Sequence, residues 1–443
     1  MNTLRLPLLT LALALTTILP LRAEPAANAP TLHWWKGNIH THSLWSDGND
    51  FPDMIADWYR QHGYNFLALS DHNVLSVGDR WMKLDDIKKR GYTDALEKYR
   101  ARFGDKWVET RGEPDTPKFE VRLKPLAEFR TLVEKPNEFL MIQCEEISDR
   151  ALDVPIHMNA TNVEDVIEPQ GGKTVADAIE NNLRAAEEQA KRTGNEILVH
   201  LNHPNFGWAI TAEDIAQVIR ERFVEVYNGH DGVHHQGDSR RASVEQIWDI
   251  ANTLRIAKLH APPLFGLGTD DSHYYNGKPG SHPGRGWIMV HATKLEPDTL
   301  IKAIKAGDFY ASSGVTLRSV TFDEAKKTLR VEIEPEPGVE YSTQFIGTKI
   351  GYDAASEPRL DKDGKPLRTT RKYSHDVGLT FATAAGPSPE YTLTGDELYV
   401  RAVVTSTKPA ADPSFKDQKQ QAWTQPVAWQ QHLTEPNKQA NIE

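Results

Sequence analysis

Histidines and carboxylates recur in pairs along this chain, and each pair sits just past an apolar run. His40 and His42 lie one residue apart in "GNIHTHSLWSDG", and Asp47 follows five residues later. "LALSDHN" carries Asp71 and His72, "LVHLNHPN" carries His200 and His203, and "LFGLGTDDSH" carries Asp270, Asp271 and His273. The apolar runs read as strands. Side chains two apart on a strand share a face, so His40 and His42 can meet one ion. In parallel α/β folds the carboxyl ends of the strands form a common site. Recurrence at equivalent places therefore predicts a metal centre built from imidazole and carboxylate. Such a nitrogen and oxygen donor set suits Zn, Mn or Fe, and it excludes a thiolate site.

The strand "LMIQCEEIS" offers two carboxylates, and alternation chooses between them. Leu140, Ile142 and Cys144 share a face with Glu146. A carboxylate on that apolar face is costly unless it is paired or bound to metal, so Glu146 is the expected ligand. Glu145 lies on the mixed face with Met141 and Gln143. Cys144 then reads as a small inward filler. His157 in "PIHMNA" can point the same way as Glu146. His200, inside its strand, reads as a hydrogen-bonded core residue. His230, His234 and His235 in "NGHDGVHHQGD" follow another apolar run, on the side of the site. His230 is the best of them for touching substrate or acting as an acid; all three could equally be solvated loop residues. Arg285 in "SHPGRGW" suits a phosphate oxygen through its planar fork. "GDFYASSG" adds Tyr310 and Ser313 as candidates. Trp34 and Trp35 read as packing aromatics, and Trp208, just past "NHPNFG", as packing or a border of the pocket.

The elements that must hold these residues are legible as alternation. From about residue 33 to 310 short apolar runs alternate with helical patterns at 51–62, 174–193, 212–221, 239–256 and 296–306. Thr211 and Ser239 stand where N-caps are expected. This predicts a mainly parallel sheet, either a barrel or a doubly wound fold. The charged stretch 79–135 reads as an insertion outside the core. After about residue 316 alternating strands separated by Gly, Pro and Asp predict a second, all-β, sandwich-like domain over 316–430, and 431–443 reads as a polar tail. Residues 1–23 have a basic start, an apolar stretch and a small residue at Ala23, the pattern of a cleaved secretory signal. Its loss would take the net charge from −11 to −13, because Arg5 and Arg22 leave with it. That charge argues against general nucleic-acid or anionic-membrane binding. One cysteine allows no internal disulfide; with export, this points to a periplasmic or secreted protein.

At the quoted residues the chain resembles the PHP family, named for polymerase and histidinol phosphatase. The matching elements are the His-x-His and Ser-Asp-Gly of "HTHSLWSDG", then "SDHN", "EEIS", "NHPN" and "DDSH", in the family's order over about residues 36–315. The resemblance implies a distorted (β/α)7 barrel with two or three metal ions and phosphoester hydrolysis. It implies His40 and His42 on one ion, assisted by Glu146 and Asp271. Glu146 would bridge to a second ion on His157 and His203, and Asp47, His72 and His273 would hold a third. Asp270 departs from the usual single Asp and, with Asp71, reads as a second layer behind the ligands. The expected reaction is attack on phosphorus by water that the ions activate, with Arg285 on the phosphoryl oxygens and a protonated His230 at the leaving group. The substrate would be a phosphorylated small molecule or nucleotide-like ester. Two alternatives are an amidohydrolase-like enzyme cleaving a C–N or lactone bond, and a secreted metal- or glycan-binding protein without activity.

Overall fold

The structure, a computed structural model, describes residues 31–433. The proposed signal sequence and the end of the polar tail lie outside the described residues; Gln430–His432 form a short 3-10 turn. No described helix is long and apolar enough to cross a membrane.

The chain begins with β1 (His33–Asn38), α1 (Pro52–Gln61) and β2 (Phe66–Leu69). The charged stretch then supplies β3 (Arg80–Lys83), α2 (Leu84–Arg90), α3 (Ala95–Phe103), β4 (Thr110–Arg111), β5 (Glu120–Leu123) and α4 (Leu126–Val133). There follow β6 (Leu140–Ala151), β7 (Val154–Thr161), α5 (Val175–Thr193), β8 (Leu198–Leu201), α6 (Ala212–Gln217), β9 (Phe223–Asn228), α7 (Val244–Leu259) and β10 (Phe265–Thr269). β11 (Trp287–Ala292), α8 (Pro297–Ala306) and β12 (Phe309–Ser312) complete this half. Each apolar run of the sequence became a strand. β2, β9 and β10 are buried along their whole length, which is why they read as continuous apolar runs rather than alternating ones. Helix starts follow local chemistry. Thr174, Thr211 and Ser243 each form a reciprocal capping box with the residue three positions on, satisfying donors the helix leaves orphaned. Ser243, rather than the expected Ser239, opens α7.

Seven strands run in the order β10-β9-β8-β7-β6-β2-β1. β10–β9, β9–β8, β6–β2 and β2–β1 pair in parallel, and only β7 is reversed. The ladder curls until its two ends meet. Past the strands, Thr41 and Ser272 form a parallel bridge, with Asp271 N–H on the His40 carbonyl and His42 N–H on that of Ser272, both at 2.9 Å. Inside the curl Ile39, Ala68, Ile142, Cys144, Leu198 and Leu267 pack together. Met141 faces the other way, onto α1 and α4 with Ile55 and Phe129, so the alternation assumed for β6 holds. α4 is therefore part of the main body. The small sheet β3-β5-β4 before it, outside the ring, has its own core, which also buries Leu44, Trp45 and Phe51.

The rest of the chain forms β13 (Leu317–Asp323), β14 (Thr328–Ile333), β15 (Tyr341–Lys349), β16 (Ser356–Glu357), β17 (Lys372–Tyr373), β18 (Leu379–Ala385), β19 (Glu390–Thr392), β20 (Glu397–Pro409) and β21 (Lys419–Trp423). β13, β14 and β19 form one layer. The other layer is a continuation of the large sheet, through β1-β11-β12-β21-β20-β15-β18. Between them lie Leu329, Val331, Phe345, Val400 and Val404 together with Tyr310 of β12. The antiparallel strands expected after residue 316 are present, but they share a sheet and a core with the first half. Ile346, Val403 and Trp423 also pack with Tyr227 and Trp248 of the first half. The Gln425 side chain both accepts from Gly266 N–H (2.7 Å) and donates to its carbonyl (2.9 Å) on β10.

Candidate metal centre

The segments leaving β1, β2, β8 and β10, together with β6 and β7 themselves, bring the nine expected ligands to a common place. Glu146 sits at the middle. Its Oε2 lies 3.5 Å from His40 Nε2, 3.2 Å from His42 Nε2 and 3.0 Å from His72 Nδ1. Its Oε1 lies 3.0 Å from His157 Nδ1 and 3.6 Å from His203 Nε2. Asp271 Oδ1 is 3.3 Å from His40 Nε2 and 3.1 Å from His42 Nε2. Asp47 Oδ2 is 3.4 Å from Nε2 of both His72 and His273. His40, His42 and Glu146 are fully buried, whereas the Asp47 side chain is 54% exposed and that of His72 28%. The centre therefore opens to solvent on the Asp47 side.

These residues fit divalent ions. Potential ligand atoms of five groups each lie within 4.8 Å of one another: His42, Asp47, His72 and His273; His40, Glu146 and His203; His40, His42 and Asp271; His72, Glu146 and His157; and, deeper, His40, His200 and Glu225. His40 Nε2, both ring nitrogens of His42, His157 Nδ1 and Glu146 Oε2 are buried with no hydrogen-bond partner. Each such atom costs about 1–3 kcal/mol if left so, and here they converge on one space. Burial and the neighbouring His273 push His42 down to about 4, leaving its ring neutral as a ligand must be. Burial alone would raise the Glu146 carboxyl, but the imidazoles of His72, His40 and His157 hold it well below the usual range.

A second layer aims the ligands. Asp71 accepts from Ser43 N–H (2.8 Å), Ser43 Oγ (2.7 Å) and Ser46 Oγ (2.6 Å), fixing the turn that presents Asp47. Asp270 faces away from the ligands. It accepts from Asn38, Tyr59, and the backbone N–H groups of Gly284 and Gly286 at 2.6–2.9 Å. Glu225 was not anticipated. It is fully buried; its Oε1 lies 2.6 Å from His40 Nδ1 and accepts from Thr269 Oγ1. Its Oε2 accepts from His203 N–H at 2.9 Å and from Asn228, which also donates to Asp271. One carboxylate thus orients three ligands, a role that typically fixes the imidazole tautomer. A single acid inside "FVEVYN" was the available signal. Ser148, 2.5 Å from His72 Nδ1, does the same for that ring. His200 lies beneath, fully buried with its Nε2 3.5 Å from Glu225, but neither ring nitrogen has a hydrogen-bond partner, so it is a core residue without the hydrogen bonds expected of it. Burial pushes the Cys144 thiol up, and its Sγ meets Thr161 at 3.3 Å, consistent with a filler.

Several expected substrate contacts are corrected. Arg285 is buried and committed: its Nε and Nη2 bind Asp412 at 3.0 and 3.1 Å, and its Nη1 binds Asp231 and the Gly229 carbonyl. Tyr310 is fully buried in the sandwich core and bonded to Leu317 at 2.9 Å; Ser313 pairs with Gln421. Trp208 stacks on His234 at 4.3 Å and carries Arg241 on its ring. Phe206 instead borders the ligands, 5.1 Å from the His203 ring and 5.7 Å from His230. His235 is buried against Tyr227 and the Asn228 carbonyl. His230 does reach the rim, 5.4 Å from His273. Its Nδ1 accepts from Gly232 N–H at 2.9 Å, and burial lowers its pKa. It is thus a neutral ring with its proton on Nε2, not the expected cation.

No family model and no curated protein matches the chain. Among solved structures it is similar to a two-domain protein of Bacteroides vulgatus containing a predicted PHP-like metal-dependent phosphoesterase. The identity is 16%, with 89% of this chain and 95% of that one covered and a TM-score of 0.38. A proposed metal-dependent phosphoesterase of Bifidobacterium adolescentis follows at 15% identity, 61% and 94% coverage and TM-score 0.30. An amidohydrolase of Chromobacterium violaceum with bound sulfate follows at 13%, 56% and 90%, and 0.29. The functional reading therefore rests on the site's own residues.

Proposed function

We propose that the protein is a metal-dependent phosphoesterase working at a di- or trinuclear centre of Zn, Mn or Fe. The observation that carries this reading is the charge of the ligand set. Six imidazoles and three carboxylates converge; with the rings neutral when bound, two divalent ions would just balance these carboxylates and buried Glu225 beside His40, and a third would leave a positive surplus. A surplus of that sign favours an anionic ester over a neutral amide or lactone. Bound ions would polarise a phosphoryl oxygen and supply a nucleophile from water near neutral pH. His40, His42 and Asp271 would hold one; His157, His203 and Glu146 another; Asp47, His72 and His273 the exposed third. His230 offers its Nε2–H to the phosphoryl or leaving-group oxygen as a neutral donor, and Phe206 shields the His203 side from water. The ring of seven strands supports reading the first half as a distorted (β/α)7 barrel. We infer export to the periplasm or beyond from the apolar leader, with a phosphorylated small molecule as substrate.

The test is a panel of aryl phosphomonoester, aryl phosphodiester, aryl carboxylate ester and dipeptide, given to metal-reconstituted full-length protein. Turnover of either phosphate above the other two is expected. Turnover of only the ester or dipeptide would replace this reading with the amidohydrolase-like one, and no turnover would favour a binding protein.

A further inference from the structure

The excursion between β20 and β21 reaches back to the metal centre from the far end of the sequence. It lands twice, on the loop after β9 that carries His230 and on the end of β9 itself. The first landing is electrostatic. Asp412 takes Arg285 in a two-oxygen grip, and Arg285 in turn holds the Gly229 carbonyl at 2.7 Å and the Asp231 carboxylate. Gly229 and Asp231 are the residues on either side of His230. His282 adds a contact of 2.7 Å to Asp412 and anchors its other nitrogen on the Lys278 carbonyl at 2.6 Å. A planar guanidinium between carboxylates in this fork geometry fixes direction as well as distance.

The second landing is a chain of neutral contacts. Gln418 donates to Tyr227 Oη at 3.0 Å, and Ser414 Oγ lies 3.2 Å from the same oxygen. Phe415 packs against His235, 5.6 Å between rings, and His235 Nε2 meets the Asn228 carbonyl at 2.5 Å. Asn228 then donates to Asp271 and accepts from His230 N–H at 2.8 Å. Each side of residue 230 is thus held from the C-terminal half.

We propose that residues 410–418 are a brace of the active site, with Asp412 a positioning residue that acts through Arg285 on His230. The C-terminal half is on this account a working part of the hydrolase rather than an appended binding module. The proposal rests on the phosphoesterase reading for its kinetic consequence, but not for its structural one.

The test compares full-length Asp412→Ala, Asp412→Glu and His230→Gln with wild type. Asp412→Ala is expected to keep its bound metal and to lose about tenfold in kcat with KM little changed. Asp412→Glu should recover most of that loss. In the His230→Gln background, adding Asp412→Ala should cost almost nothing more, because the group it positions is gone. An equal loss in both backgrounds, or a loss of bound metal, would overturn the brace as a device acting on His230. A readout without turnover separates the two levels. The His230 ring resonances and their pH titration by NMR should shift in Asp412→Ala and return in Asp412→Glu. If wild type proves inactive on every phosphoester but those resonances move, the function fails and the brace stands. If they do not move, the brace fails.

Discussion

Glu146 is the residue on which the centre turns, because its two oxygens face different histidines: His40, His42 and His72 on one side, His157 and His203 on the other. Two cations held close together repel, and an anionic bridge offsets that repulsion. Glu146→Gln should empty at least one site and cost hydrolysis more than about a hundredfold, above the range usual for second-layer changes. Glu145→Gln should leave turnover nearly unchanged, since Glu145 is buried on the other face of β6, away from the histidines, where it accepts from Ile167 N–H at 2.6 Å. Turnover and bound metal for the two variants decide; the reverse ranking would refute the register of β6. Glu225→Gln should weaken metal binding about 10–100-fold, read as a shift in the metal titration, because His40 would lose the partner that fixes its proton. The ligands were legible in the sequence because histidine is rare and its placement after apolar runs repeats. Glu225 obeys the same logic as Glu146, an acid on an apolar face, but "FVEVYN" belongs to none of the motifs that marked the other ligands. Arg285 misled because composition shows a cation near a site but not the two carboxylates, one from 127 residues away, that occupy it.

At the scale of elements, the charged segment after β2 is tied to α1 by buried acids. Tyr99 Oη and Trp107 Nε1 donate to Asp53 at 2.5 and 2.7 Å, and Arg102 grips Asp57 at 2.6 and 2.7 Å. Burial raises Asp53 from 3.8 to about 6, against the pull of its hydrogen bonds. An acid raised on folding stabilises fully below its unfolded pKa, and that contribution is lost as pH rises through the folded value. The stability of Asp53→Asn relative to wild type should therefore climb by about 2–3 kcal/mol between pH 4 and pH 7. Denaturant unfolding at several pH values measures it; parallel curves would contradict the buried, raised carboxyl. Strands and helices were mostly legible here because apolar period and caps are local. The start of α7 shows the limit of reading one residue: Ser239 and Ser243 are alike, but only Ser243 has a glutamine three residues on to complete the box. α4 was lost in the charge of its neighbours.

From Leu32 onward the described residues form one compact unit. β12 pairs with β21, and Arg401 of β20 binds Asp249 of α7 at 2.8 and 2.7 Å, with side chains 1% and 7% exposed. Removing one partner of a buried pair costs about 3–5 kcal/mol, so Arg401→Ala should destabilise by that amount although it lies in the C-terminal half. Both halves should unfold in one transition, followed by tryptophan fluorescence and by loss of bound metal; two separated transitions would contradict the shared core. The strands of this half were legible from alternation, but their partners were not, because strand pairing is non-local and the sequence does not state that β21 will close against β12. The central claim is that the nine converging residues form a multinuclear centre that hydrolyses phosphoesters. It is tested most directly by stripping full-length protein with a chelator, titrating Zn, Mn or Fe back, and counting bound ions while following aryl phosphate turnover. On that claim, turnover should be absent from the stripped protein and appear only as at least two equivalents bind. Undiminished turnover without metal, or saturation at a single bound ion, would contradict it.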